Sequence, residues 1–241
     1  MSIGAGPALH QRPAVGATRG VVLVLPGGKA DSHAPARPWH LSAVRLRFFA
    51  DAVHRAERGR GIAVWSLRYR VRGWNGAETS PVADARWALD RIRAAHGDVP
   101  VVLIGHSMGG RTALRVVDDP AVCAVLGLAP WLPEGEPRLP LGRRRLLFVH
   151  GTGDRWTDPA ASREYVAAAA AEGTPAQWVP IADVGHFMLR ERRRWRDVTV
   201  DFVASLTCWD EGQADDSAAS NPEQQAEDPQ PGGHCTGRSR P

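Results

Sequence analysis

The sequence has no long hydrophobic run, no cysteine pair at short spacing and almost no lysine. None of its unbroken apolar runs approaches the roughly 20 residues needed to cross a bilayer, which excludes a membrane-spanning helix. The N-terminus has arginines but no apolar segment of the secretory kind, so we expect a cytoplasmic location. The three cysteines, Cys123, Cys208 and Cys235, are odd in number and lack a CxxC pair. We therefore expect neither a disulfide framework nor a zinc site.

The charge is distributed unevenly along the chain. Of the 30 basic residues, all but Lys29 are arginine. From Cys208 onward seven acidic residues stand against two arginines, whereas the preceding 207 residues carry a net charge of +9. The two arginine runs, 143–145 and 190–196, lie beside predicted strand and helix ends, which is typical of a solvated surface, so we do not expect a nucleic-acid partner. The segment 209–241 has almost no large apolar residue, which predicts a disordered acidic tail.

Short apolar runs alternate with helical patterns between the two ends of the chain. The runs with the character of buried strands are 21–25, 62–67, 101–104, 121–128, 146–149 and, more weakly, 177–181. Helical patterns separate them at 41–56, 80–97, 158–173 and 189–206. This alternation predicts an α/β fold with a mostly parallel sheet of about six strands and helices on both faces. We expect an N-terminal extension at 1–19 and one domain at 20–208.

The most informative motif is a G-x-S-x-G pentapeptide at 105–109. It follows the buried run 101–104 directly and precedes a helical pattern. A nucleophilic serine needs a tight strand-to-helix turn that holds its hydroxyl out, and the flanking glycines leave room for that turn. The N-terminus of the helix also favours developing negative charge. Ser107 is therefore the candidate nucleophile.

With this motif the chain resembles the serine hydrolases of the α/β-hydrolase fold, over residues 20–206. The resemblance implies the chain order nucleophile, acid, histidine. The H-G-x-x-D pattern at 150–154 is similar to the acid loop of that family, which implies Asp154 as the acid. The G-H-F pattern at 185–187 is similar to its histidine loop, which implies His186 as the base. Asp158 remains an alternative acid, although its position before Pro159 is most simply that of a helix N-cap.

The loop at 25–29 falls where this family keeps its oxyanion hole. The resemblance implies that the backbone N–H groups of Gly28 and Met108 bind the oxyanion, with Lys29 as the alternative to Gly28. Trp131 and Trp156 follow strand ends and are candidates to border the substrate.

Seventeen residues, 129–145, separate two of the strand runs at the point where many family members insert a helical cap. So short a segment predicts a lidless member.

The resemblance implies a serine hydrolase that cleaves a carboxylic ester or thioester through an acyl-serine intermediate. An acyltransferase or peptidase on the same triad, or a binding protein on a hydrolase scaffold without chemistry, are the alternatives. No metal motif, phosphate loop or dinucleotide fingerprint is present, so we expect no metal or cofactor. The oligomeric state stays open.

Overall fold

The computed structural model describes residues 6–211, which form one sheet flanked by helices. The strands are β1 (Ala8–Arg12), β2 (Gly20–Leu25), β3 (Ile62–Arg68), β4 (Val101–His106), β5 (Val122–Leu128), β6 (Arg145–Gly151) and β7 (Ala176–Ile181). The α-helices are α1 (Leu41–Glu57), α2 (Ser80–His96), α3 (Met108–Leu114), α4 (Pro159–Ala171), α5 (Arg192–Ala204) and α6 (Cys208–Glu211).

The strands lie in the order β1-β3-β2-β4-β5-β6-β7, and all neighbours are parallel except β1 and β3. Every residue of β2 and β4 is buried, because helices cover both faces of the sheet. This arrangement confirms the predicted α/β class and its mostly parallel sheet. Between β5 and β6, residues 129–144 contain no helix, so no cap domain covers the sheet there.

Alternate residues of each strand serve two separate hydrophobic cores. In β2, Val21 and Leu23 belong to the core that also contains Leu89 of α2, and Val22 and Val24 face the other core. The second core is completed by buried residues of α1 and α5, among them Phe49 and Trp195. The sheet therefore holds its strand ends rigidly from both sides, and the loops that follow the strands start from fixed positions.

The structure adds a seventh strand to the six that the apolar runs predict. Strand β1 pairs antiparallel with β3 at the sheet edge, from Ala8 opposite Arg68 to Arg12 opposite Val64. It lies within the segment predicted to be an N-terminal extension. An edge strand with one partner needs little apolar surface, so its polar sequence shows no buried-strand pattern. The Arg12 guanidinium ties it to α1 by donating to Asp51 Oδ1 over 2.7 Å.

The chain returns to the sheet at its C-terminal helix. The indole of Trp209 is buried and donates to the carbonyl of Val203 over 3.1 Å. In the same turn Cys208 pairs with Cys123 of β5 as a single disulfide, which the expectation of no disulfide framework did not foresee. The chain fold brings together two cysteines that lie 85 residues apart, which their spacing could not show. Beyond Glu211, the predicted tail and Cys235 lie outside the described residues.

None of the helices between residues 6 and 211 combines the length and hydropathy that a membrane span requires.

Candidate active site

Ser107 lies at a strained turn between β4 and α3. Its backbone has φ 55° and ψ −120°, a region that residues with a side chain rarely occupy. The turn is tight because a Cβ on Gly105 would collide with the backbone of Gly109, and a Cβ on Gly109 would collide with Leu25. The two glycines of the motif thus allow helix α3 to pack closely against the strands. This turn between β4 and α3, which we call the elbow, places Ser107 in the lining of a cavity of about 850 Å³.

His186 lies in the loop after β7 and lines the same cavity. Backbone hydrogen bonds join this loop to the loop after β6. The amide of Thr152 donates to Ile181 over 2.9 Å, and that of Gly153 donates to Val184 over 3.1 Å. These bonds fix the histidine loop relative to the acid loop.

The Asp154 carboxylate contacts His186 directly. Its Oδ2 accepts from His186 Nδ1 over 2.8 Å and from the Thr157 hydroxyl over 2.9 Å. Its Oδ1 accepts from the amides of Trp156 and Thr157 over 2.7 and 3.1 Å. All these donors orient a carboxylate whose side chain is completely buried.

Asp158, the alternative acid, lies elsewhere. Its side chain accepts from the amide of Ala160 over 2.8 Å and caps the N-terminus of α4. The structure therefore brings Asp154, and not Asp158, into contact with His186.

A second histidine, expected from its place at a strand end to serve packing or local hydrogen bonds, also contacts Asp154. The Nε2 of His150 lies 3.2 Å from Asp154 Oδ2, and its Nδ1 lies 2.8 Å from the Ser162 hydroxyl. A carboxylate only accepts, so the proton is on Nε2, and Nδ1 accepts from Ser162. His150 has no solvent exposure. The sequence feature that could have indicated this contact is the position of His150, four residues before Asp154 in the H-G-x-x-D pattern.

The hydrogen bonds around Asp154 determine its ionisation. Burial alone would raise the pKa of this carboxyl group. The hydrogen bonds from His150, His186 and the amides of Trp156 and Thr157 outweigh burial and hold its pKa well below the ordinary value. Asp154 is therefore a carboxylate, and it keeps the proton of His186 on Nδ1, so that Nε2 is the ring nitrogen free to act as a base.

His106, which directly precedes Ser107, also contacts His186. Its Nε2 donates to the backbone carbonyl of His186 over 3.0 Å, and the two ring centroids are 4.8 Å apart. Burial, together with the neighbouring His186, lowers the pKa of His106 to about 3. It is neutral at physiological pH and contributes a fixed donor rather than a charge.

The predicted oxyanion residues, Gly28 and Met108, line the cavity with Ser107. The amide of Lys29 donates to Arg72 over 2.9 Å and is therefore occupied. No acceptor for the Gly28 amide is found among residues 6–211. The amide of Met108 begins α3 and so has no acceptor within that helix.

The rest of the lining includes the predicted border residues Trp131 and Trp156. In the part of the chain that the structure describes, no three His, Cys, Asp or Glu side chains are grouped to hold a metal ion.

A model of the alpha/beta hydrolase family matches residues 21–241. The chain belongs to the alpha/beta hydrolase family. A comparison with curated proteins finds no match. Among solved structures, this hydrolase is similar to an esterase of Thermogutta terrifontis with butyrate bound, at 17% identity and TM-score 0.63 over 84% of this chain and 89% of that one.

Two further solved structures share the fold of this hydrolase. A serine hydrolase without a lid from Xanthomonas campestris has 19% identity and TM-score 0.56, over 82% of this chain and 88% of that one. An alpha-beta serine hydrolase homologue from Coxiella burnetii has 16% identity and TM-score 0.61, over 82% and 91%. These likenesses confirm the alpha/beta hydrolase fold.

Proposed function

We propose that this hydrolase cleaves a carboxylic ester or thioester through an acyl-serine intermediate. The observation that carries the proposal is the 2.8 Å hydrogen bond between His186 Nδ1 and the buried Asp154 carboxylate, beside the strained elbow of Ser107 in one cavity. Each residue has a role that its surroundings support.

In the first half of the reaction, Ser107 Oγ attacks the carbonyl carbon of the substrate. His186 Nε2 takes the hydroxyl proton, because a neutral hydroxyl is a weak nucleophile. Asp154 stabilises the imidazolium that forms and holds its ring in place. The tetrahedral intermediate then collapses, and the departing alcohol or thiol takes the proton from His186.

The carbonyl oxygen becomes an oxyanion during the attack and needs donors. We assign this role to the amides of Gly28 and Met108. Lys29, the alternative to Gly28, already donates its amide to Arg72, so it is the weaker candidate. Donors fixed on backbone stabilise developing charge without reorganisation, which is the largest contribution in many acyl transfers.

In the second half, water attacks the carbonyl carbon of the acyl-serine and His186 Nε2 takes a proton from it. The bond from this carbon to Ser107 Oγ then breaks, Oγ regains the proton from His186, and the carboxylic acid leaves. The absence of a helix in residues 129–144 leaves the cavity open on that side. An open cavity admits water readily, which favours hydrolysis over transfer of the acyl group to another acceptor.

A fluorophosphonate probe tests the nucleophile. Wild-type protein should gain one phosphonyl group, located by mass spectrometry on Ser107, and should hydrolyse p-nitrophenyl esters of short acids. Ser107→Ala should fold normally, lose labelling and lose activity by a factor on the order of 10⁴ or more. The matched control is Ser205→Ala, a serine outside the cavity, which should behave as wild type. Labelling of Ser107→Ala at an unchanged rate would overturn the proposal.

A further inference from the structure

The cavity that contains Ser107 has a strongly one-sided charge. Among residues 6–211, no aspartate or glutamate lines it. Five cationic side chains do: Lys29, Arg37, Arg45, Arg68 and Arg72. Asp154 lies behind His186 and does not reach the lining.

Most of these cations have no carboxylate partner among residues 6–211. Some arginines outside the cavity are paired with carboxylates, as Arg93 is with Asp119 and Arg111 with Glu136. In the described range no carboxylate forms an ion pair with Lys29, Arg37, Arg45 or Arg72.

Arg68 differs from the other four. Its guanidinium donates to the backbone carbonyls of Ala36 and Gly6, so it holds the loop rather than waiting for a ligand.

Arg45 of α1 provides a second, independent observation. Its Nε is buried and has no hydrogen-bond acceptor among the described residues. Its guanidinium carbon lies 4.9 Å from the ring centroid of Phe187, the residue after His186. This donor lies beside the proposed catalytic histidine on the lining of the cavity, so an anionic group bound there could accept its hydrogen bond.

Two histidines of the lining respond to this charge. Burial, and then the charges of Arg72 and Arg37, lower the pKa of His40. The charge of Arg45 contributes, after burial and His186, to the low pKa of His106. Positive side chains therefore lie close enough to His40 and to His106 to disfavour their protonation.

Aromatic side chains stand next to the cations. Trp39 and Trp156 are exposed by 68% and 73%, and the rings of Trp156 and Phe187 are 5.4 Å apart. A ligand at this site would therefore meet both apolar surface and positive charge.

We propose that the substrate of this site is an ester or thioester that carries a second, negatively charged group, a carboxylate or a phosphate, bound by Arg45, Arg72 and Lys29. The inference rests on the proposed function and specifies its substrate class. Guanidinium groups match the planar oxygens of carboxylates and phosphates, and an unpaired cation in a partly desolvated cavity attracts an anion more strongly than it does in water.

The test compares p-nitrophenyl esters of one chain length and one leaving group that differ only in their far end. The neutral ester is the hexanoate, the carboxylate is the adipate monoester, the third bears a terminal phosphonate, and the fourth bears a terminal trimethylammonium. At low ionic strength we expect kcat/KM for the better anionic ester to exceed that of hexanoate by about tenfold or more. Salt should reduce this ratio. The trimethylammonium ester should be the poorest, and the order of carboxylate and phosphonate identifies the anion.

Variants that each remove one positive charge show which residues cause the preference for anionic esters. Arg45→Gln and Arg72→Gln should each lower the ratio of anionic to neutral kcat/KM by roughly threefold to tenfold. Arg55→Gln is the matched control, since it removes the same charge from an exposed position of α1 outside this cavity. It should leave the ratio unchanged; a drop as large as that of Arg45→Gln would assign the preference to net charge and overturn the site.

The outcomes separate this inference from the proposed function. If hexanoate is hydrolysed as fast as the anionic esters, the inference is wrong and the hydrolase function stands. If no ester is hydrolysed and no probe labels Ser107, the hydrolase function is wrong. In that case, binding of monomethyl adipate and methyl hexanoate to Ser107→Ala protein, followed by tryptophan fluorescence, decides the inference. Tighter binding of the adipate supports it, and equal affinity refutes it.

Discussion

The two sides of the active-site cavity differ in how their polar groups are satisfied. Behind His186, the side chains of Asp154, His150 and Thr157 are buried and joined by hydrogen bonds of 2.8 to 3.2 Å. In the lining of the cavity, Arg45 and Arg72 have no carboxylate partner in the described residues. The buried side, formed by Asp154, His150 and Thr157, therefore has its hydrogen-bonding groups paired within the protein. The cationic side, formed by Arg45 and Arg72, has no carboxylate partner in the described residues.

This difference separates the geometry of the reaction from the recognition of the substrate. A buried polar network is rigid when every member is satisfied, because leaving any one unpaired costs free energy. Such a network suits the proton transfers, which require fixed distances. Cations left open to the cavity are suited to binding, because a ligand supplies what they lack. We therefore expect changes on the buried side to lower kcat, and changes on the cationic side to alter substrate preference.

The largest expected effect is that of Asp154→Asn on the buried side. The amide would leave the imidazole of His186 in the wrong tautomer, so kcat should fall by a factor on the order of 10⁴. The measurement is steady-state hydrolysis of a p-nitrophenyl ester.

Asp158→Asn is the matched control for this change. It alters only the cap of α4, so it should cost at most about 1 kcal/mol of stability and leave kcat as in wild type. If the two variants show the opposite pattern, Asp158 is the triad acid.

A smaller effect is expected when His150 is changed, because it acts on the reaction through Asp154. His150→Phe keeps a ring in the buried space and removes a hydrogen bond to a charged group, which is worth about 1.5–3 kcal/mol. If that loss falls on the transition state, kcat should fall by roughly 10- to 100-fold with little change in KM.

Ser162→Ala distinguishes a positioning role of His150 from a purely structural one. It removes only the far partner of His150, so its kcat should fall less than in His150→Phe. Normal kcat in folded His150→Phe protein would show that this histidine does not position the acid.

The pH dependence of the free energy of unfolding tests whether His106 is buried as a neutral side chain. Its pKa is about 3 in the folded protein and about 6.5 in the unfolded chain. Its stabilising contribution is thus present above pH 6.5 and is lost as the pH falls towards 3. Between pH 7 and pH 5 this loss amounts to about 2 kcal/mol.

Urea unfolding of wild type and His106→Asn at both pH values measures this difference. The variant should lose about 2 kcal/mol less than wild type over that interval. An equal loss in the two proteins would place the titrating group elsewhere.

The smallest effect is expected on the cationic side, from removal of residues 212–241. This segment has five acidic residues and two arginines, so it could compete with an anionic substrate for Arg45 and Arg72. Charges farther apart than about 8 Å are largely screened at physiological salt, so we expect unchanged kcat/KM for both neutral and anionic esters. A selective gain for the anionic ester would show that the segment occupies the cavity.

Features set by local sequence were predictable. The apolar runs located six of the seven strands. Five of these are largely buried, because a strand covered on both faces must be apolar throughout. The sixth, β7, lies at the sheet edge and is only partly buried, which explains its weaker pattern. The elbow was recognisable because its strain requires glycines at fixed spacing around Ser107.

Features that depend on contacts between distant parts of the chain were not predictable. Strand β1 is polar, and only its partner β3 makes it a strand. The pairing of Cys123 with Cys208 depends on where α6 docks. The cationic lining combines residues from the loop after β2, from α1 and from the segment after β3, each of which reads alone as an ordinary surface arginine or lysine.

The backbone conformation of Ser107 also affects the stability of the folded protein. A non-glycine residue held at φ 55° and ψ −120° carries a conformational penalty of about 1–3 kcal/mol. A glycine at this position would relieve that penalty and yield a sturdier molecule with no hydroxyl for the reaction. Under the proposed function, this conformational penalty is the stability that the protein gives up to hold a hydroxyl at the turn.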